Sequence, residues 1–210
     1  MALLQKQTML EKDMSLKNKR FFVLCFLLIF FCTKTSFGNV IDKQLLVNYL
    51  NSLKSFSASF IQNYNYELSE GKIYINETRL RIEYVIPSKI LIIMDEDKAM
   101  YYNYELEEDE FFDPKDTDAW YVYDIFRSSD FFENGNIYLD KKQIILEKLV
   151  TNTESEARIT IYFEDNPLIL RKIHIDLSNN FFEISLQNHS FTETFDNKFF
   201  KLINPEYFKD

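Results

Sequence analysis

The sequence predicts a mainly β domain with a few α-helices, in which one long antiparallel sheet curls into a strongly curved or partly open barrel. Apolar and polar residues alternate with a period of two over most of the chain, and turn residues separate the alternating segments. Two further segments show the three- and four-residue spacing of an amphipathic helix. A sheet of this length has to curl, and such helices need an apolar surface to cover, so we expect them to close the mouth of the barrel.

The two helical segments are residues 40–54 and residues 119–132. In the first, apolar side chains recur at spacings of three and four residues, and the opposite face is polar. The second has a shorter apolar set, which predicts one or two short helices. The interior-facing residues that we single out in these helices are Leu46, Leu50, Trp120 and Val122.

The strands are predicted from the alternation. Residues 79–84 form a half-buried strand, because Leu80, Ile82 and Tyr84 face one side and charged residues occupy the positions between them. Residues 105–118 are acidic and break the pattern, and they lack the ligand spacing and the central glycine of a calcium loop. We expect a solvated acidic hairpin there. The predicted strands are residues 56–60, 72–75, 79–84, 90–94, 99–104, 143–151, 156–164, 168–177 and 181–192.

The N-terminus has the pattern of an export signal. A basic patch that ends at Arg20 precedes an apolar run over residues 21–32, and a polar stretch with small residues follows. An apolar run of this length is shorter than the roughly 20 residues that span a bilayer. We therefore predict that residues 1–38 are an N-terminal extension and a cleaved signal peptide, and that residues 39–210 are a single domain. An uncleaved membrane anchor is the alternative.

Cleavage after Gly38 changes both the thiol content and the charge. Cys25 and Cys32 both lie in the segment that cleavage removes, so the predicted mature chain contains no cysteine. A disulfide framework, a cysteine nucleophile and a thiolate metal site are therefore excluded in the mature chain. A lipid-modified N-terminus at Cys32 is the alternative, although bulky Phe30 and Phe31 precede that cysteine. The mature chain keeps 18 basic and 31 acidic residues, a net charge of −13. Such a surface repels phosphate groups, so we expect no nucleic-acid partner.

The sequence offers no set of residues for catalysis. His174 and His189 are predicted as strand residues without a further role, and no histidine has metal-ligand spacing to a carboxylate. The chain contains neither a Gly-x-Ser-x-Gly elbow nor a glycine-rich phosphate loop. A pair of carboxylates that hydrolyses a glycosidic bond is the alternative that the sequence leaves open, because acidic residues are numerous enough to supply such a pair. We expect no enzyme activity, no catalytic residue, no metal and no cofactor.

Apolar side chains are abundant instead, with 21 Phe, 13 Tyr and one Trp. A sheet with one apolar face and only short helices to cover it has apolar area to spare, which favours a cavity for an apolar ligand. A fully packed core fits the pattern equally well.

Several segments resemble, in order, a known family. Residues 46–62 resemble the opening of the LolA family of periplasmic lipoprotein carriers, in which an amphipathic helix runs into a strand reading Phe-x-Ala-x-Phe-x-Gln. Residues 71–87 look like the family's next segment, and residues 92–103 are similar to its following hairpin. Residues 116–126 stand where the family has its middle helices. The order of these segments carries the resemblance, and it covers nearly all of the mature chain.

The resemblance implies an unclosed antiparallel β-barrel, or half-barrel, lidded by short helices. It implies that the cavity binds acyl chains of lipoproteins released by a LolCDE-type inner-membrane transporter and passes them to a LolB-type outer-membrane acceptor. We expect a monomer in the periplasm, whose first helix competes with lipid for the cavity. The residues that we assign to the lipid-binding cavity are Leu46, Leu50, Leu80, Ile82, Tyr84, Ile92, Trp120, Val122, Ile159, Ile161 and Phe163.

One departure from the family concerns the lid. The family has an Arg-Pro pair ahead of the strand at residues 79–84, and the Arg ties the lid shut by hydrogen bonds. Asn76 and Glu77 stand at that place here. The lid-gating candidates are therefore Asn76, a weaker partner than a charged donor, and Arg79.

The same predicted half-barrel and cavity also fit other functions. A half-barrel of this kind also suits another lipid or a glycolipid, or a periplasmic sensor of envelope stress. A LolB-like acceptor is disfavoured because no cysteine stands in a suitable lipidation context. An enzyme is disfavoured because no nucleophile–base set is found.

Overall fold

The computed structural model describes residues 42–132, 134–151 and 156–208 of the chain. The predicted extension and signal peptide at residues 1–38 lie outside the described residues. Helix α1 is Lys43–Ser52 and helix α2 is Ala119–Arg127, with a 3-10 turn at Ser129–Phe132 directly after α2. The strands are β1 (Phe56–Tyr64), β2 (Glu67–Ile75), β3 (Leu80–Ile86), β4 (Ile90–Met94), β5 (Ala99–Asn103), β6 (Glu108–Phe112), β7 (Asn136–Asp140), β8 (Gln143–Thr151), β9 (Glu156–Glu164), β10 (Ile169–Leu177) and β11 (Phe181–Ser190).

All eleven strands belong to one antiparallel sheet. Their order is β6-β5-β4-β3-β2-β1-β11-β10-β9-β8-β7, so pairing of β1 with β11 joins the first half of the series to the second. Strands β6 and β7 are the two edges and do not pair with each other. The sheet is therefore unclosed, and the predicted fold class, an open antiparallel barrel with short helices, is confirmed.

The side chains of the sheet alternate between an inner face, on which both helices pack, and an outer face. On the inner face, Ile82 of β3 lies between Ile73 of β2 and Ile92 of β4, and Ile161 of β9 lies beside Leu146 of β8. These residues belong to one continuous core, to which the helices also contribute. The period-two pattern of the sequence thus assigned the inner residues of these strands correctly.

The two edge strands differ from the sequence-based expectation. The predicted acidic hairpin does form, but its second arm is strand β6, which pairs with β5. Strand β7 was not predicted, and it pairs with β8. Both strands are largely exposed, so neither needs the apolar alternation by which a strand is found in a sequence.

A second, smaller core lies on the outer face. Leu91, Ile93, Met100 and Tyr102 of β4 and β5 are buried there, and Leu202 packs against them. Leu202 belongs to the C-terminal segment, residues 195–207, which runs across the outer face.

Two arginines of the outer face hold this segment. The guanidinium of Arg79 donates to the carbonyl oxygen of Phe200 at 2.9 Å, and that of Arg81 donates to the carbonyl oxygen of Phe199 at 2.6 Å. Arg81 also lies 4.2 Å from the centre of the Phe199 ring, a cation–π contact. In the part of the chain that the structure describes, no helix is long and apolar enough to cross a membrane.

Candidate functional site

Helix α1 lies on the inner face as one part of a cover. Asp42 caps its N-terminus, since its carboxylate accepts a hydrogen bond from the Gln44 amide at 2.9 Å. Leu46 and Leu50 are buried in the core beneath the helix. The Tyr49 hydroxyl accepts a hydrogen bond from the Leu170 amide of β10 at 3.0 Å, which ties the helix to the second half of the sheet.

Helix α2 and the 3-10 turn after it form the other part. The buried face of α2 includes Val122 and Phe126, and Phe131 and Phe132 of the turn are almost fully buried. We call α1, α2 and the turn Ser129–Phe132 the lid. The lid contributes a large set of apolar side chains to the core, so it is held there mainly by the hydrophobic effect.

A small apolar cavity remains between α2 and the sheet. Its volume is about 40 Å³. The side chain of Gln62 is the polar exception in its lining, and the Tyr84 hydroxyl donates to the Gln62 side-chain oxygen at 2.8 Å. Burial raises the pKa of Tyr84 to about 12. The lining residues are Phe60, Gln62, Ile73, Ile82, Tyr84, Ile92, Ala119, Val122, Phe182 and Ile184.

Gly71 permits the packing of this wall. A β-carbon at residue 71 would lie 2.7 Å from the Phe60 ring and 2.2 Å from the Glu83 carbonyl oxygen. The Phe60 ring occupies that space and meets the Tyr84 ring edge-on, with 5.2 Å between their centres. The glycine is therefore required by close approach of the neighbouring strand and ring.

With the lid in place on the sheet, the cavity is too small to hold an acyl chain. A space of 40 Å³ holds about three waters at roughly 10–15 Å³ each, far less than an acyl chain. Between an empty cavity and a packed core, the structure thus lies close to the packed one. Because lid side chains do much of the filling, moving the lid would uncover a long apolar trough.

Polar contacts hold the lid at its margins. The guanidinium of Arg127, in the last turn of α2, donates from Nη2 to the carbonyl oxygen of Asn76 in the β2–β3 turn. The Tyr123 hydroxyl donates to the Thr78 carbonyl oxygen at 3.4 Å, a longer contact to the same turn. On the other side, Lys148 Nζ of β8 donates to the Phe131 carbonyl oxygen at 2.7 Å.

The Arg127 contact is unusual in its burial. Desolvation lowers the pKa of the guanidinium, and Nε is buried and finds no hydrogen-bond partner among the described residues. Among the described residues, the hydrogen bond found for this guanidinium is the one to the Asn76 carbonyl oxygen.

All eleven sequence-assigned cavity residues lie in or against the inner core, but only four of them line the cavity. Ile82, Tyr84, Ile92 and Val122 line the cavity itself. Trp120 is only partly buried and stacks on Tyr123 with 5.2 Å between ring centres. Others lie elsewhere in the same core, where the lid or the second half of the sheet covers them: Leu46, Leu50, Leu80, Ile159, Ile161 and Phe163.

The two lid-gating candidates have different positions. The Asn76 side chain accepts bonds from the Thr78 and Arg79 amides of its own turn, and its carbonyl oxygen receives Arg127. Arg79 lies on the outer face, paired with Asp95 at 3.2 Å. Sequence reasoning missed Arg127, although it stands four residues after Tyr123 and so on the same side of the helix.

The described residues offer no cluster suited to holding a metal ion. No group of three or more His, Asp or Glu side chains in that part of the chain is placed to hold a metal ion. His189 Nε2 lies 2.8 Å from the Leu170 carbonyl oxygen, and burial lowers the pKa of the ring. His174 lies 3.5 Å from Glu183 at the surface of the sheet. Both histidines have local structural partners.

Comparison with known proteins identifies a family. Residues 51–203 match the model of the family "Outer membrane lipoprotein carrier protein LolA". No curated protein matches the sequence.

Among solved structures, an uncharacterized conserved protein from Thermus thermophilus has a TM-score of 0.49 at 8% identity, covering 75% of this chain and 92% of its own. A DUF1329 family protein from Desulfovibrio piger has a TM-score of 0.48 at 8% identity, with coverages of 78% and 98%. LprF from Mycobacterium bovis has a TM-score of 0.41 at 11% identity, with coverages of 76% and 98%.

Proposed function

Because the chain belongs to the LolA family, we propose that it carries lipoproteins through the periplasm by holding their acyl chains between the lid and the inner face of the sheet. The observation that carries the proposal is the continuous apolar core shared by lid and sheet, with polar fastening at the lid margins. The proposed route begins with export by residues 1–38. A LolCDE-type transporter supplies the cargo, and a LolB-type acceptor receives it from the monomeric carrier.

The energetics favour a lid that exchanges with lipid. Transfer of an acyl chain from water is worth about 0.8 kcal/mol per methylene, or roughly 12 kcal/mol for sixteen carbons. A carrier with that gain and no opposing cost would not release its cargo. Displacement of Leu46, Leu50 and the α2 side chains from the core opposes binding, because these residues then lose their own apolar contacts. The filled closed state is thus part of the carrier mechanism that we propose.

The fastening of the lid suits such an exchange. A hydrogen bond contributes about 0.5–1.5 kcal/mol, and one to a charged group about 1.5–3 kcal/mol. The contacts of Arg127 and Lys148 therefore stabilise the closed lid by an amount that a bound acyl chain exceeds. The lid stays closed in the empty protein and opens when lipid is offered.

The test is to identify lipid bound in the cell. The protein is purified gently from the periplasm of an expressing bacterium, and bound molecules are identified by mass spectrometry. We expect acylated lipoproteins. A free glycolipid would favour the same half-barrel acting as a glycolipid carrier or sensor, and the absence of any lipid would contradict a carrier function.

A matched pair of variants locates the bound lipid. Ile92→Gln places an amide in the cavity wall, whereas Leu149→Gln places one on an outer position that is 52% exposed. We expect the first variant to lose bound lipid and the second to retain it. Equal retention would contradict binding at this cavity.

A further inference from the structure

Exposed apolar side chains collect at one end of the sheet, where the β1–β2 and β3–β4 turns lie side by side. Tyr66 is 86% exposed, Leu68 63%, Val85 54% and Ile86 51%. Pairing of Glu70 with Ile86 places the two turns next to each other. Isolated exposed apolar residues are ordinary, but a group of them on adjacent turns marks an interaction surface.

These side chains surround the end of the sheet instead of forming one flat patch. Tyr64 follows Gln62 by two residues in β1 and so lies on the inner face, whereas Leu68 and Val85 lie on the outer face. A β-bulge in β3 shifts the alternation after Tyr84, so Ile86 pairs with Glu70 and lies on the outer face with it. Tyr66 stands at the apex of the β1–β2 turn, and its ring meets that of Phe181 with 5.2 Å between centres. A folded protein partner covers one side of such an edge. An apolar medium covers both sides and the apex together.

The charge of these turns differs from that of the chain. Residues 64–68 and 85–90, with the neighbouring β10–β11 turn at residues 178–182, contain one acid, Glu67, and one base, Lys89. The whole chain has a net charge of −9. The turns that carry the apolar residues therefore have no net charge, so anionic headgroups repel them less than they repel the chain as a whole.

We propose that this end, which we call the apolar tip and define as Tyr64, Tyr66, Leu68, Val85 and Ile86, inserts into the interfacial region of a phospholipid bilayer. Tyrosine is enriched at membrane–water interfaces, where its ring is apolar and its hydroxyl stays wet. The insertion is shallow and reversible, since a few side chains bury little area and the rest of the chain is acidic.

The tip also lies at the end of the cavity wall. Gln62 and Phe182 line the cavity, and Tyr64 follows Gln62 by two residues on the same face of β1 and pairs with Phe182 of β11. An acyl chain leaving the bilayer at the tip therefore meets a continuous row of inner-face side chains. This inference rests on the proposed lipid carriage, to which it adds direct contact with the membrane.

The experiment is vesicle flotation of the exported protein with vesicles of phosphatidylcholine. Tyr66→Ser is compared with Tyr207→Ser, since Tyr207 is 79% exposed but lies on the C-terminal segment. Leu68→Ser is compared with Leu106→Ser, since Leu106 is 65% exposed but lies between Glu105 and Glu107. We expect each tip variant to lower the partition coefficient by roughly tenfold, and each control to leave it within about twofold.

Charge supplies a second readout. Adding phosphatidylglycerol to the vesicles is expected to weaken flotation at low salt, and high salt is expected to restore it by screening. All four substituted side chains are exposed, so the thermal unfolding midpoint stays unchanged and reports intact folding. If one tip variant does not fold, the other pair decides.

Three results would overturn the proposal. The first is that the unaltered protein does not float with the vesicles, and the second is that tip and control variants lose the same fraction of their partition coefficient. The third is that the protein is a dimer which the Tyr66→Ser substitution dissociates, because the tip would then bind a second copy. Lipid recovered with a protein that does not float would leave the carrier function standing and remove only the membrane contact.

Discussion

Arg127 holds α2 with a guanidinium group that is largely removed from water. Burial disfavours its charged form and lowers its pKa, while the bond to the Asn76 carbonyl offsets part of that cost. No salt bridge to a carboxylate is found for Arg127 in the described part of the chain. The contact is therefore directional but weak in net terms, as a lid that opens requires.

Replacement of Arg127 by Gln is expected to loosen the lid. The shorter neutral side chain loses the bond to Asn76, and we expect amide exchange in α2 to accelerate by roughly tenfold, equivalent to about 1.4 kcal/mol. Hydrogen-exchange mass spectrometry of the empty protein measures this. Arg171→Gln, which removes an exposed ion pair with Glu164, is the control and should leave α2 unchanged. Equal exchange rates in both variants would show that Arg127 does not fasten the lid.

At the scale of elements, α1 is both a cover and a filler of the core. Leu50 is 4% exposed, and so is Leu186 of β11 on the sheet side of the same core. If lipid displaces α1, the contacts of Leu50 exist only in the empty protein, whereas those of Leu186 persist in both states. Substitutions of these two residues therefore distinguish a contact made by the lid from a contact made by the sheet wall.

Leu50→Ala should destabilise the empty protein and strengthen lipid binding. The cavity left behind costs about 2–5 kcal/mol of unfolding free energy. The bound state has already given up those contacts, so affinity rises by roughly 30-fold or more. Urea unfolding and titration with a dipalmitoylated lipopeptide measure the two quantities.

The control for this prediction is Leu186→Ala. We expect a similar loss of unfolding free energy with no gain in affinity, because the wall contact is present in both states. If Leu50→Ala instead binds the lipopeptide no better than the unaltered protein does, α1 does not compete with lipid.

The sequence predicts elements well where burial constrains it and poorly where burial does not. Strands β8 and β9 have the predicted bounds, Gln143–Thr151 and Glu156–Glu164, because buried apolar residues run through β8 and alternate along β9. Strand β7 escaped prediction because it lies at an exposed edge of the sheet. The lid contact of Arg127 was not predictable from spacing alone, because its acceptor is a backbone carbonyl of a distant turn.

At the scale of the whole molecule, the sheet separates two apolar regions with different roles. The inner core is shared with the lid, whereas the outer core of Leu91, Ile93, Met100 and Tyr102 is covered by the C-terminal segment. The Tyr102 hydroxyl also donates to Glu206 at 3.1 Å. The alternation of β4 and β5 directs their side chains to both regions, so these strands have a fixed outer cover even when the lid moves.

This separation predicts an uneven response to lipid. On loading with the dipalmitoylated lipopeptide, α1 and α2 should exchange their amide hydrogens faster, since their apolar faces lose their place in the inner core. The C-terminal segment and strands β4 and β5 should keep their protection, because the bonds of Arg79 and Arg81 to Phe200 and Phe199 are untouched. Hydrogen-exchange mass spectrometry of the empty and loaded protein makes the comparison, with the Ile92→Gln variant as a control that should show no change. A uniform change over both regions would mean that lipid loosens the whole sheet, and that the lid is not the element that yields.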